Sequence, residues 1–351
     1  MAETIGFAIL GTGIISEWHA AGIEAHANAK IIAAYNRTAR KAEEFAEKHG
    51  CLAIDNLHEL LERDDIHAVC VCTASGAHAE QSIAALEAGK HVLVEKPMAT
   101  TLADATAMIE GARDNTRQLG VIFQKRTSPA VQRVRSAVAD GVFGKIVFGD
   151  AALKYWRNQA YYDSGAWRGT WEMDGGGCTM NQGIHGIDLL LYLMGTEVES
   201  IYAKTATVAH DIEVEDIALA LLSYANGAYG RIETATAVNP GQENTIEISG
   251  TCGSVILVED TITSWAVSNS EEILAAETIA AGELAGKGGA SSPTDISVKG
   301  HSIQIANFIS ALKTGEKLIC SGEEGRKSLH LISALYESAR RGEEVFLDEI
   351  H

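Results

Sequence analysis

The sequence predicts an α/β protein with two domains, first a doubly wound parallel sheet and then an α+β domain with a large, mostly antiparallel open sheet. Short apolar segments alternate regularly with helical patterns over the first 123 residues. Longer segments of alternating polarity follow from about residue 124. A glycine turn, Gly11-Thr12-Gly13, lies where the first strand meets the first helix. We therefore expect domains at residues 1–123 and 124–351.

The first domain is expected to contain six strands, the number found in a doubly wound sheet. Its strand segments are continuous apolar runs such as Ala68-Val69-Cys70-Val71-Cys72, which is typical of strands covered on both faces. Strands are predicted at 4–10, 30–35, 51–54, 68–72, 91–95 and 120–123. Helices are predicted between them at 15–25, 39–49, 57–62, 78–88 and 102–115.

The second domain begins with the change to alternating strands. Its clearest signal is a hairpin, in which Ala225-Asn226-Gly227 joins strands at 217–224 and 228–236. Further strands are predicted at 145–155, 198–207, 244–249 and 254–258. One helix, at 178–194, is expected to interrupt them and to end at Gly195. Two late helices, at 302–313 and 323–341, are able to pack back on the first domain, and segment 287–299 is expected to be a mobile loop.

Composition excludes several classes of function. A net charge of −19 over 351 residues would repel nucleic acid and anionic membranes. No apolar run is long enough for a membrane helix, and the chain starts without a basic signal segment, so we expect a cytoplasmic protein. The six cysteines show no paired spacing, which favours reduced thiols over disulfides or a zinc site.

The glycine turn predicts a dinucleotide site. In Gly11-Thr12-Gly13-Ile14-Ile15-Ser16, Ser16 replaces the usual third glycine but is still small enough for close helix packing. The expected ribose position holds Asn36 and Arg37 instead of a carboxylate, which favours NADP slightly over NAD. An ordinary glycine turn and a solvated Arg37 are the alternatives. Further residues on the same edge of the sheet are expected to line the cofactor: Thr73, Ala74, Ser75 and His78.

The fifth strand ends at Glu95-Lys96-Pro97, which is expected to lie beside the cofactor at the carboxyl edge of the sheet. A lysine there can donate to a substrate oxygen, and partial burial would lower its pKa toward neutrality. A surface lysine is the alternative. Gln124 and Arg126 leave the sixth strand, where both are expected to face cofactor or substrate.

A polar stripe on the helix at 178–194 forms the second half of the predicted site. Asn181, His185 and Asp188 are spaced i, i+4, i+7, so they share one face. Gly175-Gly176-Gly177 precede the helix and would permit close approach of the backbone to a ligand. His185 has a suitable intrinsic pKa for accepting a hydroxyl proton. A solvent-facing stripe or a buried structural histidine is the alternative.

An aromatic segment before the glycines is a candidate for sugar binding, because ring faces suit the C–H surfaces of a pyranose. Trp167 and Arg168 are the favoured substrate contacts within this segment. The alternative is an aromatic cluster that packs a domain junction. The segment also contains Tyr161, Tyr162 and Trp171.

These motifs together resemble the Gfo/Idh/MocA family of NAD(P)-dependent sugar and cyclitol oxidoreductases over nearly the whole chain. The resemblance implies a Rossmann domain, an open sheet that often forms the oligomer interface, and a catalytic pair, Lys96 and His185. It implies a homo-dimer or homo-tetramer. Many members carry Asp where this chain has Asn181, so Asn181 is expected to position substrate by hydrogen bonds and not by charge.

The predicted reaction is reversible oxidation of a ring hydroxyl of a sugar, sugar derivative or cyclitol. His185 would take the proton, Lys96 would polarise the oxygen, and no metal is required. Two alternatives stay open. One is a glycosidase that oxidises and re-reduces its substrate through a retained cofactor; the other is a non-catalytic NAD(P)-binding regulator.

Overall fold

The computed structural model describes residues 4–268 and 298–351, which form two compact units. Described residues up to Gln124, together with Val298–Arg326, form the first unit. The second contains the described residues from Lys125 to 268 and Lys327–His351. The mobile loop expected at 287–299 lies outside the described residues, apart from its last two positions, which begin a helix. Across the described ranges, every helix is too short or too polar to span a bilayer.

The first unit opens with a regular alternation of strands and helices. Its elements in chain order are β1 (Ile5–Leu10), α1 (Ile14–Glu24), β2 (Ala29–Tyr35), α2 (Ala39–His49), β3 (Leu52–Ile54), α3 (Leu57–Leu61), β4 (Ala68–Val71), α4 (His78–Glu87), β5 (His91–Val94), α5 (Leu102–Asp114) and β6 (Leu119–Val121). These bounds differ from the predicted ones by at most two residues at any end, where helices and strands fray.

The second unit begins after Gln124. Its elements are α6 (Pro129–Ala139), β7 (Ile146–Lys154), α7 (Gln159–Asp163), α8 (Trp171–Asp174), α9 (Ile184–Met194), β8 (Val198–Ala206), β9 (Ile217–Tyr224), β10 (Tyr229–Ala235), β11 (Thr245–Gly250), β12 (Gly253–Val258) and β13 (Thr261–Val267). The chain ends with α10 (Val298–Thr314), α11 (Gly322–Arg341) and β14 (Val345–Phe346).

The sheet of the first unit has the order β3-β2-β1-β4-β5-β6, and all its pairs are parallel. The predicted doubly wound sheet is confirmed. Strand order reverses between β1 and β4, and ligands of such sheets bind at the carboxyl ends of the strands beside that reversal. Leu10 pairs with Tyr35 on one side and with Val71 on the other, so Gly11 and Thr73 follow adjacent strand ends.

Helix α10 completes the core of the first unit. Ile305, Phe308 and Ile309 are fully or almost fully buried in the same cluster as Phe7. The rings of Phe308 and Phe7 lie 6.4 Å apart between centroids. A Cβ at Gly22 of α1 would come within 2.6 Å of Ile305 Cδ1, so the glycine permits the two helices to approach closely. This helix therefore belongs to the first unit although it follows the second in sequence, and the two late helices were expected to be able to pack in this way.

The second unit is built on an eight-stranded sheet in the order β13-β12-β11-β7-β10-β9-β8-β14. It is mostly antiparallel, as predicted, and β7 and β10 form the parallel pair. The Asn226-Gly227 hairpin is confirmed, with Tyr229 opposite Ser223 and Gly227 at φ 83°. The expectation of one helix among the strands of this unit is wrong, because α7 and α8 also lie between strands; α6, before the first of them, was not predicted. Ser128-Pro129 marks the start of α6, a signal that the sequence carried.

The helix predicted at 178–194 is divided into two parts. Thr179–Gly183 form a π-helical turn, and α9 continues as a regular α-helix from Ile184. The predicted end is confirmed, since Gly195 adopts the left-handed conformation at φ 63°. Wide turns of this kind insert an extra residue into a helix and occur often at functional sites.

Candidate active site

The two glycines of the first turn have different neighbours. Gly11 has φ 87°, and a Cβ built on it would lie 2.7 Å from the Cys72 carbonyl oxygen, so the fold itself requires glycine there. Gly13 has φ −88°, which any residue adopts, and no described atom lies within 4 Å of a Cβ built on it. Gly13 is exposed at the N-terminus of α1, where backbone N–H groups favour an anion. The turn therefore has the open space that a dinucleotide pyrophosphate requires.

The residues around this turn fix its shape. Ser16 is buried and donates to the Gly13 carbonyl oxygen at 2.5 Å. Ile14 is 69% exposed and Ile15 is half-buried, so both border the open side of the turn.

The Asn36 side chain holds the glycine turn and its own loop together. Its Nδ2 donates to Thr12 Oγ1 at 2.9 Å, and its Oδ1 accepts from the Thr38 N–H at 2.9 Å. The Arg37 side chain is exposed. Since Asn36 already uses its amide in these two bonds, Arg37 is the charged group at this strand end that a ribose phosphate would meet.

The loop after β4 is tied to the loop after β5 by His78. The His78 ring nitrogens lie 2.8 Å from the Pro97 carbonyl oxygen and 3.0 Å from the Thr73 carbonyl oxygen. Burial lowers the pKa of His78, against the effect of the two carbonyl contacts. Thr73 Oγ1 donates to Gln81 at 2.9 Å, and Ser75 begins a short turn of helix after Ala74. His78 therefore has a structural role in the loops that were predicted to line the cofactor.

Glu95 lies in the interior of the first unit. Its Oε1 is 2.8 Å from His19 Nε2 and 3.3 Å from His301 Nε2. Burial opposes ionisation of Glu95, but hydrogen bonds from His19 and His301 outweigh it and hold the pKa of that carboxyl well below its usual value. Burial lowers the pKa of His19, but the contacts with Cys70 and Glu95 outweigh burial and raise the pKa to about 10. The result is a buried ion pair next to Lys96.

Lys96 is half-buried, and its backbone N–H lies 3.4 Å from Glu95 Oε2. The peptide bond between Lys96 and Pro97 is cis. Glu95 on one side and the His78–Pro97 contact on the other hold the backbone of Lys96 at the carboxyl edge of the sheet. Gln124, after β6, is buried within the same unit.

The helix that carries His185 begins on a buried carboxylate. Glu215 Oε2 accepts from the Gly177 N–H at 2.9 Å, and Oε1 accepts from the Thr179 N–H at 2.9 Å and from Tyr336 Oη at 3.0 Å. Burial raises the pKa of Glu215, although these donors oppose the rise. The Glu215 carboxylate thus accepts from backbone N–H groups that have no partner within the helix. A carboxylate at this end is also favoured by the positive end of the helix dipole.

The glycines before this helix are required by protein neighbours. A Cβ at Gly176 would overlap the Tyr336 hydroxyl, and one at Gly177 would overlap the Glu215 carbonyl oxygen. We expected the glycine run to admit a ligand. The close approach is instead to the Tyr336 side chain and to the backbone of Glu215 within the same unit.

Asn181 lies in the π-helical turn, and His185 lies one turn further along the chain. Both side chains are half-buried, unlike their neighbours Met180 and Ile184, which are 1% exposed. Asn181 Nδ2 donates to Asp174 Oδ1 at 2.8 Å. The helix therefore presents the predicted imidazole and amide on its accessible side.

Asp188 does not share that accessibility. It is 1% exposed and forms a two-pronged ion pair with Arg126, with bonds of 2.8 Å and 2.7 Å. Ser328 also donates to it at 3.2 Å. Three residues after His185, Asp188 is rotated by about 60° around an α-helix, which turns it inward. The charged groups of Arg126 and Asp188 thus bind each other. Direct contact of either residue with the substrate stays a prediction.

The aromatic segment surrounds a guanidinium group. Arg168 lies over the rings of Tyr161 and Trp167, at 4.3 Å from each centroid, and donates to Tyr161 Oη at 2.6 Å. Gln182, which follows Asn181 in the π-helical turn, donates to the same hydroxyl at 3.2 Å. The segment and the helix are thus joined by hydrogen bonds within the second unit.

Comparison with known proteins agrees with this fold. The sequence model described as "Oxidoreductase family, NAD-binding Rossmann fold" matches residues 5–123, and the model described as "GFO/IDH/MocA C-terminal domain" matches residues 131–256. The WlbA dehydrogenase from Bordetella pertussis, solved with NADH and UDP-GlcNAcA, is 31% identical and superposes with a TM-score of 0.89, covering 98% of each chain.

Two further relatives extend the comparison. The WlbA dehydrogenase from Chromobacterium violaceum is 34% identical with a TM-score of 0.85, covering 98% of this chain and 96% of that one. Myo-inositol 2-dehydrogenase from Thermotoga maritima is 27% identical over 97% of this chain and 98% of its own length.

The chain belongs to the Gfo/Idh/MocA family. It is an NAD-dependent oxidoreductase, and the predicted resemblance is confirmed. In this member of the family, the open space at Gly13 and the donors of the α1 N-terminus fit a dinucleotide, which Gly11, Thr12, Gly13 and the loops after β2 and β4 would hold.

Sequence reasoning missed the carboxylates that support this Gfo/Idh/MocA site. Asp174 and Glu215 are both 3% exposed, and each bonds to the segment 177–181. Asp174 stands directly before the three glycines, so its position was a usable signal. Glu215 is distant in sequence and comes into contact only through the fold. His19 and His301, the partners of Glu95, were missed for the same reason.

Proposed function

We propose that this chain oxidises a ring hydroxyl of a sugar, sugar derivative or cyclitol, or reduces the corresponding ketone. The observation that carries the proposal is the accessible pair of Asn181 and His185 on a helix whose start is fixed by Glu215. Such support keeps an acid–base group in one place, which proton transfer requires.

His185 takes the proton of the reacting hydroxyl, because a neutral imidazole can accept a proton near neutral pH. Lys96 donates a hydrogen bond to the same oxygen and stabilises the charge that develops there. Asn181 orients the substrate through its amide. A nicotinamide cofactor held at the glycine turn would supply the hydride acceptor or donor.

The substrate class includes sugar nucleotides. Both WlbA dehydrogenases are at least 31% identical over 98% of this chain, and both were solved with UDP-GlcNAcA. In this chain, Trp167 and Tyr161 provide ring faces and Arg168 provides a cation between them, a set suited to a sugar with an anionic group.

The test is a substrate panel of monosaccharides, inositols, glycosides and UDP-linked sugar acids, followed by the absorbance of the reduced nicotinamide. We expect turnover of one class, and a loss of about 10²-fold or more in kcat for Lys96→Ala and for His185→Asn with cofactor affinity retained. Normal turnover in either variant would contradict the assigned role.

The other outcomes identify the alternatives. Release of an aglycone without net change in absorbance would indicate a glycosidase that recycles its cofactor. Tight cofactor binding with no turnover of any panel member, in the wild type as in the variants, would indicate a regulator.

We propose that the enzyme accepts NADP as well as NAD, with a slight preference for NADP. The support is the exposed guanidinium of Arg37 at a strand end that has no carboxylate. Arg37→Ala should weaken NADP binding by about tenfold or more relative to NAD, which titration of both cofactors measures. An unchanged ratio of the two dissociation constants would exclude this role for Arg37.

We also propose that the enzyme is a homo-dimer or homo-tetramer that associates through the open sheet of the second unit. Its outer face exposes Phe148, Leu219, Leu221 and Tyr229, each more than half exposed. Tyr229 pairs with Phe148, and Leu221 pairs with Tyr202, so exposed apolar side chains lie on adjacent strands. A second copy of this chain would cover such a patch.

A further inference from the structure

Helix α10 places a buried histidine against Glu95. His301 is 1% exposed, and its Nε2 lies 3.3 Å from Glu95 Oε1, the oxygen that also lies 2.8 Å from His19 Nε2. The two imidazole rings are 5.9 Å apart between centroids, and they come from α10 and α1. One carboxylate oxygen directly after β5 is therefore held between two helices of the same unit.

The position of His301 is set by the rest of its helix. Gln304, one turn further along, accepts from the Phe123 N–H at 3.0 Å and donates to the Val121 carbonyl oxygen at 2.5 Å. The next residue, Ile305, is fully buried in a cluster that also contains residues of α1. Helix α10 is thus fixed on the end of β6 by an amide and on α1 by packing, so the helix holds the His301 ring beside Glu95.

Packing alone does not account for a histidine at this place. Its ring lies against Trp18, at 5.1 Å between centroids, where an apolar side chain would pack as well. Its Nδ1 is buried and has no hydrogen-bond partner among residues 4–268 and 298–351, which costs free energy that an apolar group would not. The charged group that the ring does contact in this part of the chain is the carboxylate of Glu95. The reason for an imidazole therefore lies in that contact.

We propose that His301 is a positioning residue for Lys96, which together with His19 fixes the Glu95 carboxylate and through it the backbone that carries the lysine. Glu95 precedes Lys96, and its Oε2 lies 3.4 Å from the Lys96 N–H. When Glu95 loses one of its two imidazole contacts, this backbone gains freedom, and a displacement of about 1 Å at a reacting group can lower a rate by about a hundredfold. The inference deepens the proposed function and rests on Lys96 as the group that polarises the reacting oxygen.

The first test compares His301→Gln with His301→Leu. Glutamine can place an amide N–H near the position of the histidine Nε2, whereas leucine fills the space beside Trp18 without a donor. We expect His301→Leu to lower kcat by about tenfold or more and His301→Gln to keep kcat within about threefold of the wild type, with substrate KM and cofactor affinity unchanged in both. A role in packing alone predicts the reverse order, because leucine suits the ring contact better. Equal losses in the two variants, or wild-type kcat in His301→Leu, would overturn the proposal.

The second test determines whether His301 acts through Lys96. In a Lys96→Ala background the lysine amine is absent, so His301→Leu should change the residual kcat by less than about twofold. The matched control is His58→Leu, at an exposed histidine of the same unit, which should leave kcat unchanged in either background. An equal loss from His301→Leu with and without the lysine would overturn the proposal.

A readout without substrate separates this inference from the proposed reaction. Lys96 is half-buried, so its amine should react with an acetylating reagent about threefold faster or more in His301→Leu than in the wild type, but not in His301→Gln. Mass spectrometry of the peptide that contains Lys96 measures the rate. Equal rates in all three proteins would refute the role of His301 even in an active enzyme. The expected rates in a protein that turns over no panel substrate would instead keep that role and refute the proposed reaction.

A second variant covers the case in which His301→Leu does not fold. His301→Asn keeps a polar group, but its amide is one carbon shorter than that of glutamine and does not reach the place of the histidine Nε2. It takes the place of His301→Leu in each test, with the same expected loss of kcat and the same faster reaction of Lys96.

Discussion

At the scale of single residues, the two glycines of the first turn have different roles. The fold requires Gly11, whereas Gly13 leaves space for the cofactor. Only Gly11 has a positive φ and a close backbone neighbour. Gly13→Ala should therefore leave the free energy of unfolding within about 1 kcal/mol of the wild type, while the added methyl group lowers NAD(P) affinity by about tenfold or more. Urea unfolding and cofactor titration measure the two quantities.

The comparison variant is Gly11→Ala. Its Cβ would press on the Cys72 carbonyl oxygen, so we expect a loss of about 1–3 kcal/mol or more in stability. Should Gly13→Ala bind the cofactor as tightly as the wild type does, the open space at Gly13 is not the pyrophosphate site.

The buried pair of His19 and Glu95 makes stability depend on pH. Removing one partner leaves a buried charge, so His19→Gln should cost about 3–5 kcal/mol near neutral pH. Because folding raises the pKa of His19 to about 10, the imidazolium contribution is complete below the unfolded pKa of about 6.5 and is lost as pH rises through about 10. The difference in unfolding free energy between wild type and variant should therefore shrink as pH rises across that window.

The lowered pKa of Glu95 makes stability depend on pH in the opposite direction. Its contribution is present above the unfolded carboxyl pKa and is lost as pH falls through the lowered folded value. His58→Gln, on an exposed side chain paired with Glu62, is the matched control and should change stability by less than about 1 kcal/mol at any pH. A constant difference between wild type and His19→Gln from neutral to alkaline pH would argue against an imidazolium at His19.

At the scale of elements, the start of the helix that carries His185 is supported by Glu215, which is distant in the sequence. Glu215→Gln keeps the shape of the side chain but turns an NH₂ group toward backbone donors that need an acceptor. We expect a loss of about 1–3 kcal/mol in stability and a lower kcat, because the turn that carries Asn181 loses its anchor. Glu199→Gln, at an exposed position on β8 of the same unit, should change neither quantity. Equal stability and kcat for the two variants would show that Glu215 does not support the helix.

Element prediction was accurate where the signal was local. The strands of the first unit are continuous apolar runs, and the Asn226-Gly227 turn fixes the hairpin of β9 and β10 through its own backbone preference. The π-helical turn at Thr179–Gly183 was not predicted, because the residues there fit a regular helix as well. Strand β14 has two residues, and its pairing of Val345 with Ile201 depends on the rest of the sheet.

For the whole molecule, the exposed sheet face gives a test of assembly. Leu221→Glu replaces an exposed leucine on this face by a carboxylate, so it should shift the protein to a smaller species in sedimentation at micromolar concentration. Leu52→Glu, on an edge strand of the first unit with 47% exposure, should leave the mass unchanged. An identical mass for wild type and Leu221→Glu would rule out the proposed interface.

The sequence by itself determined the number of strands in the first sheet and their succession along the chain, the glycine turn between β1 and α1, and the family; it also singled out Lys96 after β5 and His185 before Gly195 as candidates. These features depend on patterns that are local in the sequence, namely hydrophobic periodicity and the placement of glycines. Tertiary structure decided the rest: α10 completes the core of the first unit, Glu215 supports the helix start, and Asp174 faces Asn181. The physical reason is that a buried charged or polar group must find its partner wherever the fold brings one within hydrogen-bond distance, and no local pattern records that partner.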